Sequence, residues 1–510
     1  MTDAPRRWLT IQLARFGDVF QTAPVIASFP RDVETDLLVD SSQAEAAGLL
    51  PNVRRVLPVA RSEALRMILN EDLSRSSRFW GDLKAELGSY GYDRVVNLTH
   101  TPESALIARL AGAREYRGAL YDRKGMFAAD SWERLFRAVI TRRDWGGFHL
   151  ADYHRMSAGG DFPPVYSPSS TTKDRFGVIA LQLGANSLLR MWPVASFAQT
   201  AAIVHQRTKV RFVVLGTRGE EALASEFARL AAVPFENLVG RTTPAQLAGI
   251  LRGCDLLLSG DTGTIHLAAL MGVQTVGVYL GTARPDDTAP WREGAVVFEP
   301  ATICCPCPEN HHCLHLSCHN DLPPEAVAET ILRLLRGERV YPLDGQSWRR
   351  RLVSFNDAGF PTLTGEKTTT SGQRRAAMKA LWMSEFAGGT DQPENIQLEP
   401  DERENLIQLG ALASEGAATA RRLREDLMSN VAGRERPEIL RDTLNRVESF
   451  TTGKGLAGLL TQMASLELER PPKGAVSSAG LIEKVLASLT RRIQFCAEAG
   501  GVRAVARGAA

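Results

Sequence analysis

Short β-branched runs alternate with helix-period runs through the first two-thirds of this chain, and that alternation constrains its fold more than any other feature. LTIQL (9–13), DLLVD (36–40), RVVNL (94–98), VIALQL (178–183), RFVVLG (211–216), DLLLSG (255–260) and TVGVYL (275–280) read as strands. Asp18–Phe29, Asp82–Leu87, Glu103–Ala111, Val194–Gln206, Glu220–Ala231, Pro244–Arg252 and Ile265–Met271 read as helices. Strands that each feed a helix form parallel sheets covered on both faces. The pattern starts at Leu9 and again near Val178, and GGDFPPVYSPSSTTKDR (159–175) between the two has the composition of an interdomain connection. The expectation is an α/β protein with two Rossmann-like, doubly wound parallel-sheet domains facing a cleft, residues 1–165 and 176–345. Ligands in such sheets bind beyond the carboxyl ends of the strands.

Beyond about residue 345 the pattern changes. PTLTGEKTTTSGQ (361–373) and AGGTDQPEN (387–395) read as polar breaks, and residues 374–510 as an all-α domain. Leu406, Leu409, Ala413, Gly416, Ala420, Leu423 and Leu427 form a heptad stripe, and Ile482, Leu486, Leu489, Ile493 and Cys496 a second. A self-packed helical bundle is the plain expectation, and a partner-binding or homo-oligomerising module the sharper one.

Charge sets limits on partners. Sixty basic residues against 58 acidic ones leave a net charge of +2, which gives no electrostatic case for nucleic acid. The opening MTDAPRRW has no signal-type apolar core. No apolar run approaches the ~20 residues that span a bilayer. A cytoplasmic protein is expected, with peripheral contact at the inner membrane as a further option.

Three junctions could hold chemistry. In SGDTGTIHLAALMG (259–272) a strand runs into a helix through Asp261, Thr262, Gly263 and His266. The first amides of a helix lack acceptors and its dipole is positive there, so anions bind well. Gly263 would let an anion approach the backbone, and Thr262, Thr264 and His266 would add donors. The plainer alternative makes Asp261 a helix cap. In QLGANSLLRMWPVASF (182–197), Gly184 ends a strand, and Arg190 is placed to neutralise a diphosphate or to be a surface cation. In LTIQLARFGDVFQTAPVIASF (9–29), Asp18 is either a helix cap or a carboxylate at the cleft, ready to take a proton.

Taken in order, these segments resemble glycosyltransferase family 9, the bacterial ADP-heptose heptosyltransferases. DRVVNLTHTPESALIARLAGA (93–113), FHLADYHRMSAG (148–159), VVLGTRGEEALA (213–224) and the run from LLLSG to Ala283 complete the set, which covers about residues 9–340. The resemblance implies a GT-B fold with an acceptor-side first domain and a nucleotide-sugar second domain. It implies transfer of heptose from an ADP-activated donor with inversion, with no cofactor required for catalysis. Carried over by position, Asp18 matches the general base, and Arg190 the basic residue that contacts the diphosphate. Asp261, Thr262, Gly263 and His266 match the donor-binding element. Glu221, or Glu220 beside it, falls where an acidic residue meets the nucleotide ribose.

ATICCPCPENHHCLHLSCHN (301–320) gathers five thiols and four imidazoles, those of His311, His312, His315 and His319. The spacing of Cys304, Cys307, Cys313 and Cys318 is close to that of metal knuckles, and soft thiolates select zinc or iron. A structural metal beside the donor site is expected; a reduced loop or a disulfide is the alternative. The acceptor is read as a lipopolysaccharide core or a protein hydroxyl, with Arg117, Arg123, Lys124 and Arg134 as candidate anion contacts. The competing functions are a catalytically degenerate scaffold acting through its helical tail and, less favoured, a sugar-nucleotide epimerase of the same fold.

Overall fold

The structure is a computed structural model. It describes residues 5–121, 127, 128, 130–140, 146–159, 177–302, 304–308, 313, 315–364, 370–387, 400–428, 436–449, 457, 459–461, 463, 464 and 475–499. Arg123, Lys124, His311, His312 and the connection beyond Gly159 lie outside these.

The first sheet has five parallel strands in the order Val53–Val59, Val33–Asp40, Arg6–Gln12, Arg94–Asn97, Glu115–Gly118. The second repeats that order with Phe235–Asn237, Arg211–Leu215, Val178–Gln182, Leu256–Gly260 and Gln274–Val278, then adds Val296–Pro300. Both chains of strands reverse direction beside their first strand. That reversal opens a crevice at the carboxyl ends, where doubly wound sheets take ligands. The fold is GT-B.

The edge strand Val53–Val59 escapes sequence reading because Arg54, Arg55 and Pro58 interrupt its apolar alternation. Proline is tolerated there because an edge strand leaves one side of its ladder unpaired. A larger difference concerns the tail. Trp348–Phe355 pairs antiparallel with Val296–Pro300, and Leu343–Asp344 and Pro361–Leu363 pair with Trp348–Phe355. The second α/β domain therefore runs to about residue 364, past the expected boundary at 345. The arginine run Arg349–Arg351 hides this strand. Arg350 donates to the Tyr341 carbonyl and to Thr330, and Arg351 to Asp344.

The chain divides into two compact units, residues 1–120 with 149–365, and 121–148 with 366–510. In the first unit the two sheets share an apolar cluster. It runs from Val19, Phe20 and Ala47 to Ala248, Ile265 and Leu267. Glu45 adds a polar tie by accepting from Thr243 Oγ1 and the Ala245 amide.

The second unit is not simply the tail. Helix Ser131–Val139 buries Trp132, Leu135, Phe136 and Val139 on one face, and the Trp132 ring meets Phe148 at 5.6 Å and Phe386 at 5.1 Å. Arg375 donates to the Phe148 carbonyl. An insertion from the first domain thus completes the helical unit, which a contiguous 374–510 domain would miss. The two stripes do pack as helices Pro400–Met428 and Ala475–Ala499. Gly416 permits it, since a Cβ there would lie 2.7 Å from Leu486 Cδ1. No helix among the described residues is long and apolar enough to cross a membrane.

Candidate functional site

Two strand–helix junctions, one from each sheet, meet at their helix starts. The first follows strand Arg6–Gln12. Thr99 Oγ1 accepts from the Leu13 amide at 2.8 Å and Gln12 Oε1 from the Ala14 amide at 3.1 Å, which pins the loop. Helix Phe16–Gln21 then begins, and Asp18 Oδ2 accepts the Arg15 amide at 2.9 Å. The capping role is real, but it uses one oxygen; the other makes no hydrogen bond among the described residues. Burial raises the proton affinity of Asp18 above the ordinary carboxylate range. The Arg15 amide, the Arg15 charge and His154 oppose this without cancelling it.

The second junction follows strand Leu256–Gly260. Thr262, not Asp261, holds the N-cap position of helix Gly263–Leu270, without a side-chain capping bond. Asp261 instead accepts from Arg190 Nη1 and from Thr288 Oγ1, each at 3.2 Å. Arg190 Nε donates to Thr282 Oγ1 at 2.7 Å. Arg190, expected either to neutralise a diphosphate or to be a surface cation, is held in an ion pair at the sheet edge, with its side chain 21 % exposed against 8 % for Asp261. That fixes its orientation and offsets much of its charge.

The helix starts touch through glycine. A Cβ on Gly17 would stand 3.2 Å from Gly263 Cα, and one on Gly263 would stand 2.5 Å from Phe16 Cδ1 and 3.0 Å from the Gly17 nitrogen. The bare face of Gly263 therefore meets the neighbouring helix, not an anion as its position in the motif suggested. His266, one helical turn on, shares that face and is also redirected. It is buried, and its Nε2 lies 3.5 Å from Gln21 Nε2. Desolvation drops its pKa to about 4, so it is a neutral packing imidazole at neutral pH.

Between these junctions lies a cavity of about 1250 Å³, lined from the first sheet by Arg15, Phe16 and Gly17 and from the second by Gly184, Arg190, Glu220, Thr262, Gly263 and Thr264 among others. Glu220, not Glu221, reaches it. Glu220 accepts from Gln182 Nε2 at 3.1 Å and from the Thr217 amide at 2.6 Å. Glu221 opens the next helix on the exposed side. Gly184 leaves room for the Glu220 carboxylate, which a Cβ there would have to displace. Thr264 donates to Gln182 Oε1 at 3.1 Å, tying the helix start to the neighbouring strand end. A second cavity of about 780 Å³, lined by Val178, Arg211 and Phe235, lies at the opposite, amino ends of the strands and holds none of these groups.

The thiol loop stands behind this wall. The Cys307 amide donates to the Gly281 carbonyl at 2.7 Å, and His319 Nε2 lies 3.2 Å from the Leu189 carbonyl. All five loop cysteines are free thiols. Cys305, outside the expected ligand set, hydrogen-bonds Cys318. This pulls the Cys318 thiol down to about 7 and pushes Cys305 up. Burial raises the Cys307 thiol, and Cys318, Cys304 and Cys313 add to this electrostatically. Among the described residues, however, no three of these sulfurs come within metal-sharing distance of one another. A tetrahedral thiolate site needs four sulfurs each about 2.3 Å from one ion. The expected set Cys304, Cys307, Cys313 and Cys318 does not fit a metal as it stands; the loop's contacts with this wall are made by the Cys307 amide and by His319.

Sequence reading missed Arg15, Gln182, Arg218 and Thr282. Each sits at or just past a strand end, the position that doubly wound topology marks for ligand contact.

Two doubly wound sheets with a polar, glycine-bounded cavity at their facing carboxyl ends define the class of fold, one that takes ligands between those ends. Comparison with known proteins gives the family. Residues 80–316 match the model for glycosyltransferase family 9 (heptosyltransferase). The lipopolysaccharide core heptosyltransferase OpsX of Haemophilus influenzae is 30% identical over 311 residues, covering 57% of this chain and 83% of that protein. Lipooligosaccharide heptosyltransferase 2 of Campylobacter jejuni subsp. jejuni serotype O:2 is 28% identical over 173 residues, 32% of this chain; the match spans about half that relative, 52% of its length. The crystal structure of a family 9 glycosyl transferase from Veillonella parvula shares the fold, with a TM-score of 0.52 at 17% identity, over 66% of this chain and 99% of that one. The chain belongs to glycosyltransferase family 9.

Proposed function

We propose that this chain is a heptosyltransferase that moves heptose, with inversion, from an ADP-activated donor to a hydroxyl of a lipopolysaccharide core. One observation carries the reading: a carboxylate with raised proton affinity, in the helix that follows the first sheet's first strand, stands next in sequence to Gly17, whose contact with Gly263 borders the cavity.

In this scheme the adenosine ribose lies toward Glu220, and the diphosphate toward Thr262–Thr264 and Arg190. Asp18 takes the proton of the acceptor hydroxyl. The hydroxyl oxygen's electron pair forms the bond to the anomeric carbon as the bond from that carbon to the diphosphate oxygen breaks. ADP leaves with that pair. A base whose pKa lies nearer the working pH transfers protons more effectively. Fixed amides and threonine hydroxyls stabilise charge growing on the diphosphate, at roughly 2.7–4 kcal/mol per donor by analogy with oxyanion holes, and Arg190 adds the part of its charge that Asp261 does not offset.

The test is incubation with ADP-heptose and a heptose-deficient lipopolysaccharide core. Acceptor-dependent ADP release with a one-heptose mass gain supports transfer. ADP binding with no release under any acceptor supports the scaffold alternative.

A further inference from the structure

The cavity's charges divide unevenly. Arg190 is committed to Asp261 and Thr282, and Glu220 to Gln182 and Thr217. Two further cations, Arg15 and Arg218, line the same space. Both are exposed, and neither makes an ion pair or a side-chain hydrogen bond among the described residues. Arg15 lends its charge to the neighbouring Asp18 but is within ion-pairing distance of no carboxylate among the described residues, and a polar cavity lined by two such guanidinium groups suits an anion.

Their positions distinguish them. Arg218 sits two residues from Glu220, against Gly240, where a Cβ would stand 2.9 Å from Arg218 Cα. It belongs to the Glu220 end. Arg15 precedes helix Phe16–Gln21 by one residue, and Gly17 in that helix abuts Gly263. Arg15 therefore belongs to the Thr262–Thr264 end, and it reaches the cavity from the other sheet.

The geometry points to Arg15 as the residue that binds the terminal phosphate of a nucleoside diphosphate, across the cavity from the amides that hold the same group. This rests on the donor orientation given under Proposed function. A guanidinium fork suits phosphate oxygens and gives short, charge-assisted hydrogen bonds. The terminal phosphate is the group that departs from the sugar, so Arg15 would meet charge as it develops. It also places the leaving-group clamp and Asp18 on one helical turn, so that a ligand touching Arg15 is already beside the base.

The experiment is calorimetric titration of the full chain with ADP and with AMP, in wild type, Arg15→Gln, Arg15→Lys and Arg218→Gln. Gln keeps the Arg15 amide that caps Asp18, and an unchanged melting temperature checks that the fold persists. Arg15→Gln should weaken ADP about tenfold or more and AMP less than about twofold, and Arg15→Lys should recover most of the loss. Arg218→Gln should keep the preference for ADP over AMP. Wild-type affinity for ADP in Arg15→Gln, or equal loss of ADP and AMP, overturns the assignment while leaving the donor reading intact. A wild-type chain that binds neither nucleotide overturns both.

Discussion

At Leu13–Gln21 a strand of the first sheet runs into a helix that carries Asp18; at Ser259–Leu270 a strand of the second does the same beside Asp261. The two stretches share glycine at the helix start, and the helices touch there. Their carboxylates diverge. Asp261 is held by Arg190 and Thr288 and orients a cation. Asp18 has one amide partner, and burial favours its protonated form. A strand–Gly–helix junction with an aspartate is one local design. Whether that aspartate organises a wall or handles a proton is decided by which groups the rest of the fold brings to its second oxygen.

The sharpest way to break the comparison is to exchange the two losses. Asp18→Asn should cut turnover by about 10²–10⁴, the contribution of a general base. It should leave ADP affinity within about twofold, since no donor contact is removed. The folded pKa of Asp18 is raised, so its contribution to stability is fullest below the unfolded value and is lost as pH rises through the folded one. Asp18→Asn should therefore melt at the same temperature as wild type or higher at neutral pH, which scanning calorimetry checks. Asp261→Asn should do the reverse. Donor affinity should fall about tenfold as Arg190 loses its anchor, with a smaller drop in kcat.

Gly184→Ala sharpens the second half. Its Cβ displaces the Glu220 carboxylate, and donor affinity should drop several-fold, about 1 kcal/mol or more. Glu221→Ala should change it by less than about twofold. Equal losses in the two would return the acidic role to Glu221. The smallest effect is the pH profile. Transfer needs Asp18 ionised, so kcat/KM should fall as pH drops through a limb above 3.8, the ordinary aspartate value. His266 adds no limb near neutrality, because it is already neutral there.

Much of this was legible in the chain itself. The alternation of strand and helix runs named both sheets, and the stripes at Leu406–Ala420 and Leu486–Ile493 named the packed helices. Asp18, Gly184, Arg190, Thr262 and Gly263 all fall at the junctions that frame the cavity. What spacing could not convey was direction. Gly263 and His266 share a helical face, and only the fold puts the Asp18 helix against it. Glu220 and Glu221 are neighbours, and the capping turn at Thr217 selects which one turns inward. The insertion at 131–148 is equally invisible, because its partners Arg375 and Phe386 lie more than two hundred residues away.

The most direct test of the central claim is a crystal structure with ADP bound. Bound ADP should lie with its adenosine toward Glu220 and its diphosphate on the Thr262–Thr264 amides, and the Asp18 carboxylate should face the point where the sugar would join the terminal phosphate. ADP seated elsewhere, or a diphosphate with Asp18 turned away from its terminal oxygen, would contradict it.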